Sequence, residues 1–595
     1  MPKQESTLTP VALVSLNAKF IHSNLAIDYL RSYSEKEQIP VAIEVVEFHI
    51  NQPVDYIVGE LLMMDIDIVG FSCYIWNITA TLHVITRLKL AKPEMTIIVG
   101  GPEVSYESAE LLEKHPEIDY CIIGEGEQSF GDLLRDLVDK GGVLEARERI
   151  IHGIPVPLHE IPSPYPHDLG ERYHNKLVYL ETSRGCPFNC QYCLSANTRQ
   201  VRYFPWQRVE EEFIKLMDGG FPQVKLIDRT FNANSAWALR IFRFLVEENT
   251  KRGAFDNGAP PTIFHFEISA DILTEELLAY LSQVPPGLFQ FEIGIQSTTP
   301  RVLEVIQRQS DWRILSENIR RLAKPGNIHL HLDLIVGLPQ ETWKSFRQSF
   351  DDVYELGGQR IQMGFLKLLK GSGLRERSEE LGLVFDPYPP YEVVATSTMT
   401  ALEIVRLKEI EALLEQYYNS HRFTMTLDLM TSQVYTSPFQ FFQDLATYFR
   451  SRRLHQVSHS PLALYDILHS FIGQYHGQVL PLAEEALKFD YLRTEGHRPL
   501  RSWMPNELGR DHRRARHDLL QDTHVRAKLD PATLALSPRE MAQQVRVGRF
   551  SRDFIEFLCQ RRVKDKDAVG SGWIIFNHHR PDPWTKESDY TVILE

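Results

Sequence analysis

The stretch Glu181-Thr-Ser-Arg-Gly-Cys186-Pro-Phe-Asn-Cys190-Gln-Tyr-Cys193 holds half of the chain's six cysteines and directly follows the strand-like run 177–180. A loop that leaves a strand can turn its thiolates inward around a metal, and thiolates favour zinc or iron–sulfur clusters. A structural zinc site usually draws four ligands from two separated pairs, and the sequence has no second pair. Three thiolates satisfy three irons of a cubic [4Fe–4S] cluster and leave the fourth iron open. The spacing therefore predicts a cluster bound by these cysteines. The alternatives are three buried cysteines or a zinc site completed by a distant residue such as His174.

The same spacing, with Tyr192 before the last cysteine, resembles the radical S-adenosylmethionine (SAM) enzymes. This resemblance implies that Cys186, Cys190 and Cys193 are the metal ligands and that Tyr192 belongs to the SAM site. It further implies that the fourth iron chelates the amino and carboxylate groups of SAM. One electron then splits the sulfonium and gives a 5′-deoxyadenosyl radical.

Size and composition limit the classes of protein that the chain can represent. Its 595 residues predict about three or four domains. No run approaches the ~20 apolar residues of a membrane span, and the short apolar run at 11–16 is not a secretory signal. The cysteines form no disulfide framework, so we expect a cytoplasmic protein without a membrane partner. The net charge of −15 argues against broad nucleic-acid binding.

The fold class is predicted to be α/β with a mostly helical C-terminal domain. Residues 1–140 alternate short apolar runs with amphipathic stretches, which indicates a doubly wound, Rossmann-like (flavodoxin-like) domain. Residues 141–174 are rich in charge, proline and glycine and are interpreted as a linker. Repeated strand–helix units over 175–386 predict a partial (β/α)6 barrel. The remaining residues, 387–595, form longer helical patterns, with short strand-like runs at 571–577 and 590–594.

The first domain resembles the cobalamin-binding domain that precedes the barrel in one large class of radical SAM enzymes. The shared text is Val99-Gly100-Gly101-Pro-Glu-Val-Ser105 and Asp119-Tyr-Cys-Ile-Ile-Gly124-Glu-Gly126-Glu127. Glycines without a Cβ would let the backbone approach a flat corrin or its nucleotide tail. The resemblance implies a cobalamin site, which we expect to be formed by Ser72, Cys73, Tyr74, Trp76, Gly100, Gly101, Glu103, Gly124, Glu125 and Gly126.

One departure from the family pattern concerns the lower face of the corrin. The Asp-x-His-x-x-Gly signature, whose histidine ligates cobalt, is absent, and His22 lacks the partner residues. We therefore expect no protein histidine below the cobalt, the loop 72–77 in that place, and a structural role for His22. Only two cysteines, Cys73 and Cys121, precede the cluster loop, so the domain cannot supply the three-cysteine second cluster of tRNA methylthiotransferases.

Further barrel motifs resemble those of the oxygen-independent coproporphyrinogen oxidases and their radical SAM relatives. The resemblance implies ribose contacts from Glu267 and Asp333, and contacts to the methionine carboxylate from Gln296 and Arg308. Carboxylates accept hydrogen bonds from hydroxyl groups, and a guanidinium forks onto a carboxylate. Asp228 lies where simpler relatives receive the SAM amino group, so it is the candidate for that contact, with a structural loop role as the alternative.

The function predicted from these motifs is reductive SAM cleavage at a [4Fe–4S] cluster, together with cobalamin. The class implies methylation or another radical transformation of an unknown small-molecule or peptide substrate, with a one-electron donor such as flavodoxin or ferredoxin. No catalytic side chain is assigned beyond the cluster. Two alternatives remain: a cobalamin-free radical SAM oxidoreductase whose first domain is a scaffold, and a noncatalytic cobalamin or SAM sensor. The basic run 510–517 is interpreted as a solvated face, with RNA or phosphate contact as the alternative.

Overall fold

The computed structural model of the protein divides into two compact units. It describes residues 8–140, 148–166, 169–255, 261–496, 498–506, 512–563, 570–579, 581–582 and 584–594. One unit comprises Met1–Thr342 and Gly364–Ala401, and the other comprises Trp343–Met363 and Leu402–Glu595. The boundaries predicted at 140, 174 and 386 stay predictions. The basic run 510–517 lies partly outside the described residues.

The N-terminal part of the first unit is built on a six-stranded parallel sheet of order β2-β1-β3-β4-β5-β6. Its strands are β1 (Thr9–Asn17), β2 (Val41–His49), β3 (Ile68–Ser72), β4 (Thr96–Gly100), β5 (Tyr120–Ile123) and β6 (Ile150–His152). Its helices are α1 (Leu25–Lys36), α2 (Val54–Met63), α3 (Ile78–Ala91), α4 (Ser108–Lys114) and α5 (Glu127–Lys140). The strand order reverses between β1 and β3, which is the position where doubly wound sheets bind ligands.

Alternation along the strands produces a separate apolar core on each face of this sheet. In β1, Ala12, Val14 and Leu16 pack with α2 and α3, whereas Val11 and Leu13 pack with α1 and α5. Both faces of the parallel sheet are covered, as such sheets require. The predicted doubly wound domain is confirmed.

The segment interpreted as a linker contains structure that the sequence pattern did not indicate. Strand β6 pairs with β5 and extends the sheet. Farther along, the Arg172 guanidinium donates to the buried Asp28 carboxylate on α1, with an Nη2–Oδ2 distance of 2.9 Å. Part of this segment therefore belongs to the fold of the first unit.

The second sheet has the order β14-β13-β12-β11-β10-β7, so its neighbours follow chain order as in a partial barrel. The strands of this region are β7 (Val178–Leu180), β8 (Ser183–Arg184), β9 (Arg202–Tyr203), β10 (Gln223–Leu226), β11 (Ile263–Ile268), β12 (Phe289–Gln296), β13 (His329–Val336) and β14 (Arg360–Phe365). Strands β8 and β9 form a separate antiparallel pair. The helices here are α6 (Trp206–Asp218), α7 (Ser235–Lys251), α8 (Glu275–Leu281), α9 (Pro300–Val305), α10 (Trp312–Ala323), α11 (Trp343–Tyr354) and α12 (Gly373–Glu376). The predicted barrel of strand–helix units is confirmed.

The C-terminal region is mostly helical and carries two small antiparallel sheets. A two-stranded sheet joins β15 (Val384–Phe385) to β16 (Val393–Ala395). The helices are α13 (Ala401–Leu413), α14 (Thr424–Leu429), α15 (Pro438–Ser451), α16 (Pro461–Tyr475), α17 (Leu480–Thr494), α18 (His512–Gln521), α19 (Thr523–Arg526), α20 (Pro531–Leu534), α21 (Pro538–Gln544) and α22 (Arg552–Leu558). A three-stranded sheet contains β17 (Val545–Phe550), β18 (Gly572–Asn577) and β19 (Asp589–Leu594), of which the sequence predicted the last two. Within the described part of the chain, no helix has the length and apolarity to cross a membrane.

A cluster of phenylalanines fills the space between the barrel strands and α7. Phe266 on β11 is fully buried. Its ring centroid lies 4.4 Å from that of Phe231, 5.1 Å from that of Phe242 and 5.7 Å from that of Phe289. Because Phe231 belongs to the loop after β10, the cluster also fixes that loop.

We predict that Phe266→Ala lowers the free energy of unfolding of the first unit by about 3–5 kcal/mol, because it leaves a cavity among packed rings. The matched control is Ile314→Ala on α10, where the side chain is 50% exposed, with an expected loss below about 1 kcal/mol. Hydrogen exchange of the β11 and β12 amides would measure both changes. Equal protection in the two variants would contradict the prediction.

Candidate active site

The cysteine loop leaves β8 and closes on itself. Gly185 has φ +100°, and a Cβ there would lie 2.3 Å from the Gln200 carbonyl oxygen, so only glycine fits. The Cys186 amide donates to the Thr198 carbonyl over 2.9 Å. The thiols of Cys186 and Cys190 are buried and that of Cys193 is partly exposed; none forms a disulfide. The loop thus presents three free thiols from one turn of chain.

These thiols line a cavity of about 180 Å³ at the carboxyl ends of the barrel strands. The lining includes all the predicted SAM-site residues except Asp228: Tyr192, Glu267, Gln296, Arg308 and Asp333. They come from the cysteine loop, β11, β12, the segment after α9, and β13. The fold therefore brings together residues that span more than a hundred positions of sequence, although their roles toward SAM stay predictions.

Arg308 is a partly buried cation in the lining of this smaller cavity. Its Nη1 lies 3.2 Å from the Tyr192 hydroxyl and 3.7 Å from the Cys190 Sγ, and Nη2 donates to the Gly294 carbonyl. Among the described residues, the Arg308 Nε and the Gln296 Oε1 are buried without hydrogen-bond partners. Unpaired buried polar atoms are costly, so both fit a polar ligand in this cavity.

Three carboxyl groups from neighbouring strands share the floor of the smaller cavity: Glu267, Glu292 and Asp333. Glu292 was not predicted, although its place two residues before Gly294 and four before Gln296 puts it on their face of β12. Its Oε2 lies 2.8 Å from the His265 Nε2 and 3.3 Å from the Lys225 Nζ. Burial acts to raise the pKa of Glu292, but the His265 hydrogen bond and the Lys225 charge hold it well below the usual range.

The ionised Glu292 affects the two other carboxyl groups. Burial, and next the charge of Glu292, raises the pKa of Asp333 and also that of Glu267. The Asp333 Oδ1 lies 3.1 Å from the His331 Nε2. A carboxyl group that keeps its proton can donate to an oxygen as well as accept from a hydroxyl. The floor therefore offers both kinds of hydrogen bond to a ribose.

Asp228 is not where the sequence analysis expected it. Its carboxylate accepts from the Thr182 amide over 3.0 Å, from the Thr182 hydroxyl over 2.7 Å and from the Ser183 hydroxyl over 2.6 Å. Burial raises the pKa of Asp228 to about 6, although these hydrogen bonds oppose the shift. The side chain lines neither cavity described for this unit. The alternative of a structural loop role is the one that the structure supports.

A second cavity of about 570 Å³ opens at the carboxyl ends of the N-terminal sheet, at the reversal between β1 and β3. The predicted cobalamin residues in its lining are Ser72, Tyr74, Trp76, Gly100, Gly101, Gly124, Glu125 and Gly126. The cavity continues between the sheet and helices α1 and α5, along the apolar face of Leu13, Ile98 and Ile122. Gly70 lies on the same face, where a Cβ would come within 2.9 Å of the Leu13 side chain. The larger cavity is therefore a polar mouth with an apolar interior.

Two expected cobalamin residues, Cys73 and Glu103, do not line this cavity. Cys73 is fully buried in the core on the other face of the sheet, because it alternates with Ser72 and Tyr74. Glu103 is buried beneath Tyr391, whose hydroxyl donates to it, and lies 3.4 Å from the Lys370 Nζ. Their roles toward cobalamin stay predictions, which the position of neither side chain supports.

The loop after β3 places two aromatic rings against the larger cavity. Tyr74 and Trp76 stack with centroids 4.4 Å apart and an angle of 8° between their planes. Trp76 remains 47% exposed. At the opposite side His22 lines the cavity, and its Nδ1 lies 2.6 Å from the Tyr179 hydroxyl. The exposed ring of Trp76 offers a flat apolar surface to a ligand.

Gly101 is required by backbone packing rather than by a ligand. It has φ +114°, and a Cβ there would lie 2.6 Å from the Cys73 carbonyl oxygen. In contrast, Gly124 has φ +86° and no atom within 4 Å of the position of a Cβ. The expectation that a missing Cβ makes room for a flat ligand therefore suits Gly124 and not Gly101.

Arg184, two residues before Cys186, connects the two cavities. Its guanidinium lies 3.0 Å from Glu125, 2.7 Å from Glu127 and 2.7 Å from Glu181. Glu127 is the first residue of helix α5, Glu125 lies two residues before that helix, and Glu181 precedes the cysteine loop. Sequence reasoning missed this arginine because Glu125 and Glu127 lie more than fifty residues away from it.

The two cavities share two residues, Arg229 and Glu267. Arg229 follows Asp228 in the loop after β10, and Glu267 is on β11. A ligand in the larger cavity and a ligand in the smaller cavity would therefore lie on either side of the same pair of side chains.

Comparison with known protein families gives three matches along the chain. Residues 11–134 match a B12 binding domain, residues 180–353 match the radical SAM superfamily, and residues 379–576 match a protein family of unknown function, DUF4080. These matches confirm the predicted pairing of a cobalamin-binding domain with a radical SAM domain.

Two relatives extend over much of the chain. The 2-(S-pantetheinyl)-carbapenam-3-carboxylate methyltransferase of Streptantibioticus cattleyicolor is 26% identical over 77% of this chain and 69% of that protein. The cobalamin-dependent radical SAM methyltransferase TokK of Streptomyces tokunonensis is 27% identical over 60% of this chain. Here the match spans little more than half of the relative, 56% of its length. In fold, the chain is similar to the cobalamin-dependent SAM radical enzyme OxsB with aqua-cobalamin bound, with a TM-score of 0.56, 18% identity and coverage of 81% of this chain and 80% of that one.

We predict that Asp228→Ala lowers the iron content of the reconstituted protein and costs about 1–3 kcal/mol of stability, because the Thr182 amide beside the cysteine loop loses its buried acceptor. Asp218→Ala is the control, since that carboxylate is exposed on α6 and pairs only with Arg252 in the described structure. Iron per chain and thermal unfolding measure the effect. Full iron content combined with weakened SAM binding would instead support the contact to the SAM amino group that the sequence predicted for Asp228.

Proposed function

We propose that this chain, which combines a B12-binding domain with a radical SAM domain and is homologous to cobalamin-dependent radical SAM methyltransferases, cleaves SAM reductively and methylates a small molecule. The observation that carries the proposal is the pair of adjoining cavities that share Arg229 and Glu267. Two cofactors that must act on one substrate need neighbouring sites, and the cavities provide them.

The smaller cavity fits a [4Fe–4S] cluster with SAM. Three free thiols line it, and a cluster held by three thiolates has one iron left to bind SAM. The unpartnered Gln296 Oε1 and Arg308 Nε provide an acceptor and a donor for the methionine end of SAM. We assign Cys186, Cys190 and Cys193 to the cluster and the carboxyl groups of Glu267 and Asp333 to the ribose.

The larger cavity fits cobalamin. Its mouth has the exposed Trp76 ring, which would face the lower side of a corrin, and its apolar interior between sheet and helices would accept the nucleotide tail. The histidine in its lining, His22, already bonds Tyr179 through Nδ1. Because the Asp-x-His-x-x-Gly signature is absent from the sequence, we assign the lower face to the 72–77 loop rather than to an imidazole.

When bound, the reduced cluster supplies the electron for SAM cleavage and cobalamin supplies the methyl group. The residues of the chain perform the positioning. Arg308 holds Tyr192 and Cys190 in place, while Glu267 and Asp333 fix the adenosyl group by its ribose. The protein walls around both cavities exclude water from the reacting atoms.

The two alternatives weighed from the sequence lose support at this point. A scaffold without cobalamin has no use for an apolar cavity of about 570 Å³ at the switch point of the sheet. A noncatalytic sensor conflicts with the enzymatic character of the relatives, which are methyltransferases. Because the same relatives are methyltransferases, we propose methyl transfer rather than oxidation or rearrangement.

The remaining partners are proposed on the chemistry of the site. SAM cleavage needs one electron, for which a flavodoxin or ferredoxin is the suitable class of donor. The six cysteines are free, which suits the cytoplasm. We propose a small-molecule substrate before a peptide because the printed substrate of the carbapenam relative is a small molecule.

We predict that Cys190→Ala abolishes 5′-deoxyadenosine formation under strong reductant and lowers bound iron, because two thiols cannot hold the cluster. Cobalamin binding should persist, since the larger cavity is unchanged. The matched control is Cys559→Ala, a buried cysteine of α22's C-terminal extension, which should keep both activities. Product analysis by mass spectrometry, iron assay and the visible spectrum of the corrin give the three readouts.

Three results would contradict the proposed function. Wild-type protein that binds no cobalamin after anaerobic reconstitution would remove the corrin assignment. Wild-type protein that forms no 5′-deoxyadenosine would remove SAM cleavage. Equal product from wild type and Cys190→Ala would place the cluster elsewhere.

A further inference from the structure

Three arginines line the two cavities: Arg184, Arg229 and Arg308. They differ in how far their guanidinium groups are already occupied by other residues. Arg184 is surrounded by Glu125, Glu127 and Glu181 within 3.0 Å. Arg308 is partly buried and bonds a carbonyl, a hydroxyl and a thiol inside the smaller cavity. The charge of Arg184 is already paired, and the open Nε of Arg308 is the donor that we assign to the methionine end of SAM.

Arg229 differs from both. Its side chain is exposed, and it makes no hydrogen bond or ion pair with any residue that the structure describes. Glu267 is the other residue that lines both cavities, and burial raises the pKa of that carboxyl group. The positive charge of Arg229 therefore faces the junction of the cavities without a partner carboxylate within ion-pair distance.

The backbone around Arg229 is nevertheless firmly held. Asp228 bonds Thr182 and Ser183, and the Thr230 hydroxyl donates to the Arg229 carbonyl over 2.9 Å. Phe231 packs in the aromatic cluster. The next side chain, Asn232, exchanges hydrogen bonds with the Ser269 backbone over 2.8 and 2.9 Å.

Of the side chains of residues 228–232, that of Arg229 alone makes no hydrogen bond, ion pair or ring contact with the part of the chain that the structure describes. Because the loop is fixed on both sides of Arg229, the region that the guanidinium can reach is limited. Guanidinium groups favour carboxylate and phosphate because their paired donors match two oxygens. The position, the unpaired charge and the rigid support all point to a ligand that brings its own negative charge.

We infer that Arg229 binds an anionic group, a carboxylate or a phosphate, of the substrate and holds the substrate at the junction of the two cavities. The inference rests on the proposed function, which puts the substrate between SAM and cobalamin. It adds the substrate class: a small molecule with an oxyanion at a fixed distance from the carbon that reacts. Arg229 is then a substrate-binding residue and not a structural one.

The direct test measures the accessibility of the guanidinium in the full-length, reconstituted protein with cobalamin and SAM. Phenylglyoxal modifies arginine, and peptide mass spectrometry gives the rate at each site. Inorganic phosphate or acetate should slow the modification of Arg229 severalfold. The exposed Arg301 on α9, which lines neither cavity, is the internal control and should react at an unchanged rate.

The two probes also distinguish the two kinds of anion. Stronger protection by phosphate indicates a phosphorylated substrate, and stronger protection by acetate indicates a carboxylate. Absence of protection by either anion overturns the inference. Complete protection by SAM and cobalamin alone also overturns it, because the guanidinium would then belong to a cofactor site.

A second test uses Arg229→Gln and Arg229→Lys with SAM that carries a deuterated methyl group. A small-molecule extract is divided on an anion exchanger, and the label should enter only the retained, anionic fraction. Loss of a charge-assisted hydrogen bond predicts that the methyl-transfer rate of Arg229→Gln falls at least about tenfold and that the rate of Arg229→Lys is intermediate. Both variants should keep the iron and cobalamin contents of the wild type. Label in a compound of the unretained fraction other than SAM and cobalamin, or equal transfer by Arg229→Gln, overturns the inference.

The two tests fail separately from the proposed function. Protection by anions requires no turnover, so it can be observed even in protein that forms no 5′-deoxyadenosine. That combination would refute the proposed function and leave an anion site at Arg229. Methyl transfer to a neutral compound would support the proposed function and refute the binding of an anionic substrate group by Arg229.

Discussion

The ion pairs of Arg184 are the interaction on which the arrangement of the site depends. One guanidinium binds two carboxylates at or just before the start of α5 and a third just before the cysteine loop, so the N-terminal domain and the thiols are fixed to the same group. Charges this little exposed are tolerated only when their partners are in place, and removal of one member of such a group commonly costs about 3–5 kcal/mol. The larger cavity thereby receives one wall from the barrel.

This constraint explains why the two cavities adjoin. The walls that the barrel gives to the larger cavity, Tyr179, Glu181, Arg184, Ile227, Arg229 and Glu267, all lie at the carboxyl ends of β7, β10 and β11 or just beyond them. The same ends form the rim of the smaller cavity. Both a doubly wound sheet and a parallel barrel bind ligands at these ends. Opposing the two rims therefore places the two cavities side by side, one for each of the proposed cofactors.

The sequence predicted the elements and most of the smaller cavity because these follow from local patterns. Strands β3, β5, β11, β13 and β14 begin and end where the apolar runs do, and the cysteines with Glu267, Gln296, Arg308 and Asp333 share one lining. The failures concern side-chain direction and distant partners. The Cys73 side chain, just after β3, packs into the core on the face of the sheet away from the larger cavity. The Asp228 carboxylate accepts from two hydroxyls 45 and 46 residues earlier, and β6 is too short to show an alternating pattern. No local sequence pattern indicates the roles of Arg184 and Arg229, because these depend on residues that are brought close only by the fold.

The central claim is that cluster and corrin occupy neighbouring sites in one protein. Electron paramagnetic resonance of the reconstituted protein, with the cluster reduced and cobalamin as cob(II)alamin, tests it most directly because both centres are paramagnetic. The account predicts that the two signals broaden each other through dipolar coupling and that the cob(II)alamin signal becomes sharp in Cys190→Ala. Two independent, unbroadened signals in the wild type would contradict the account, since they would place the cofactors far apart.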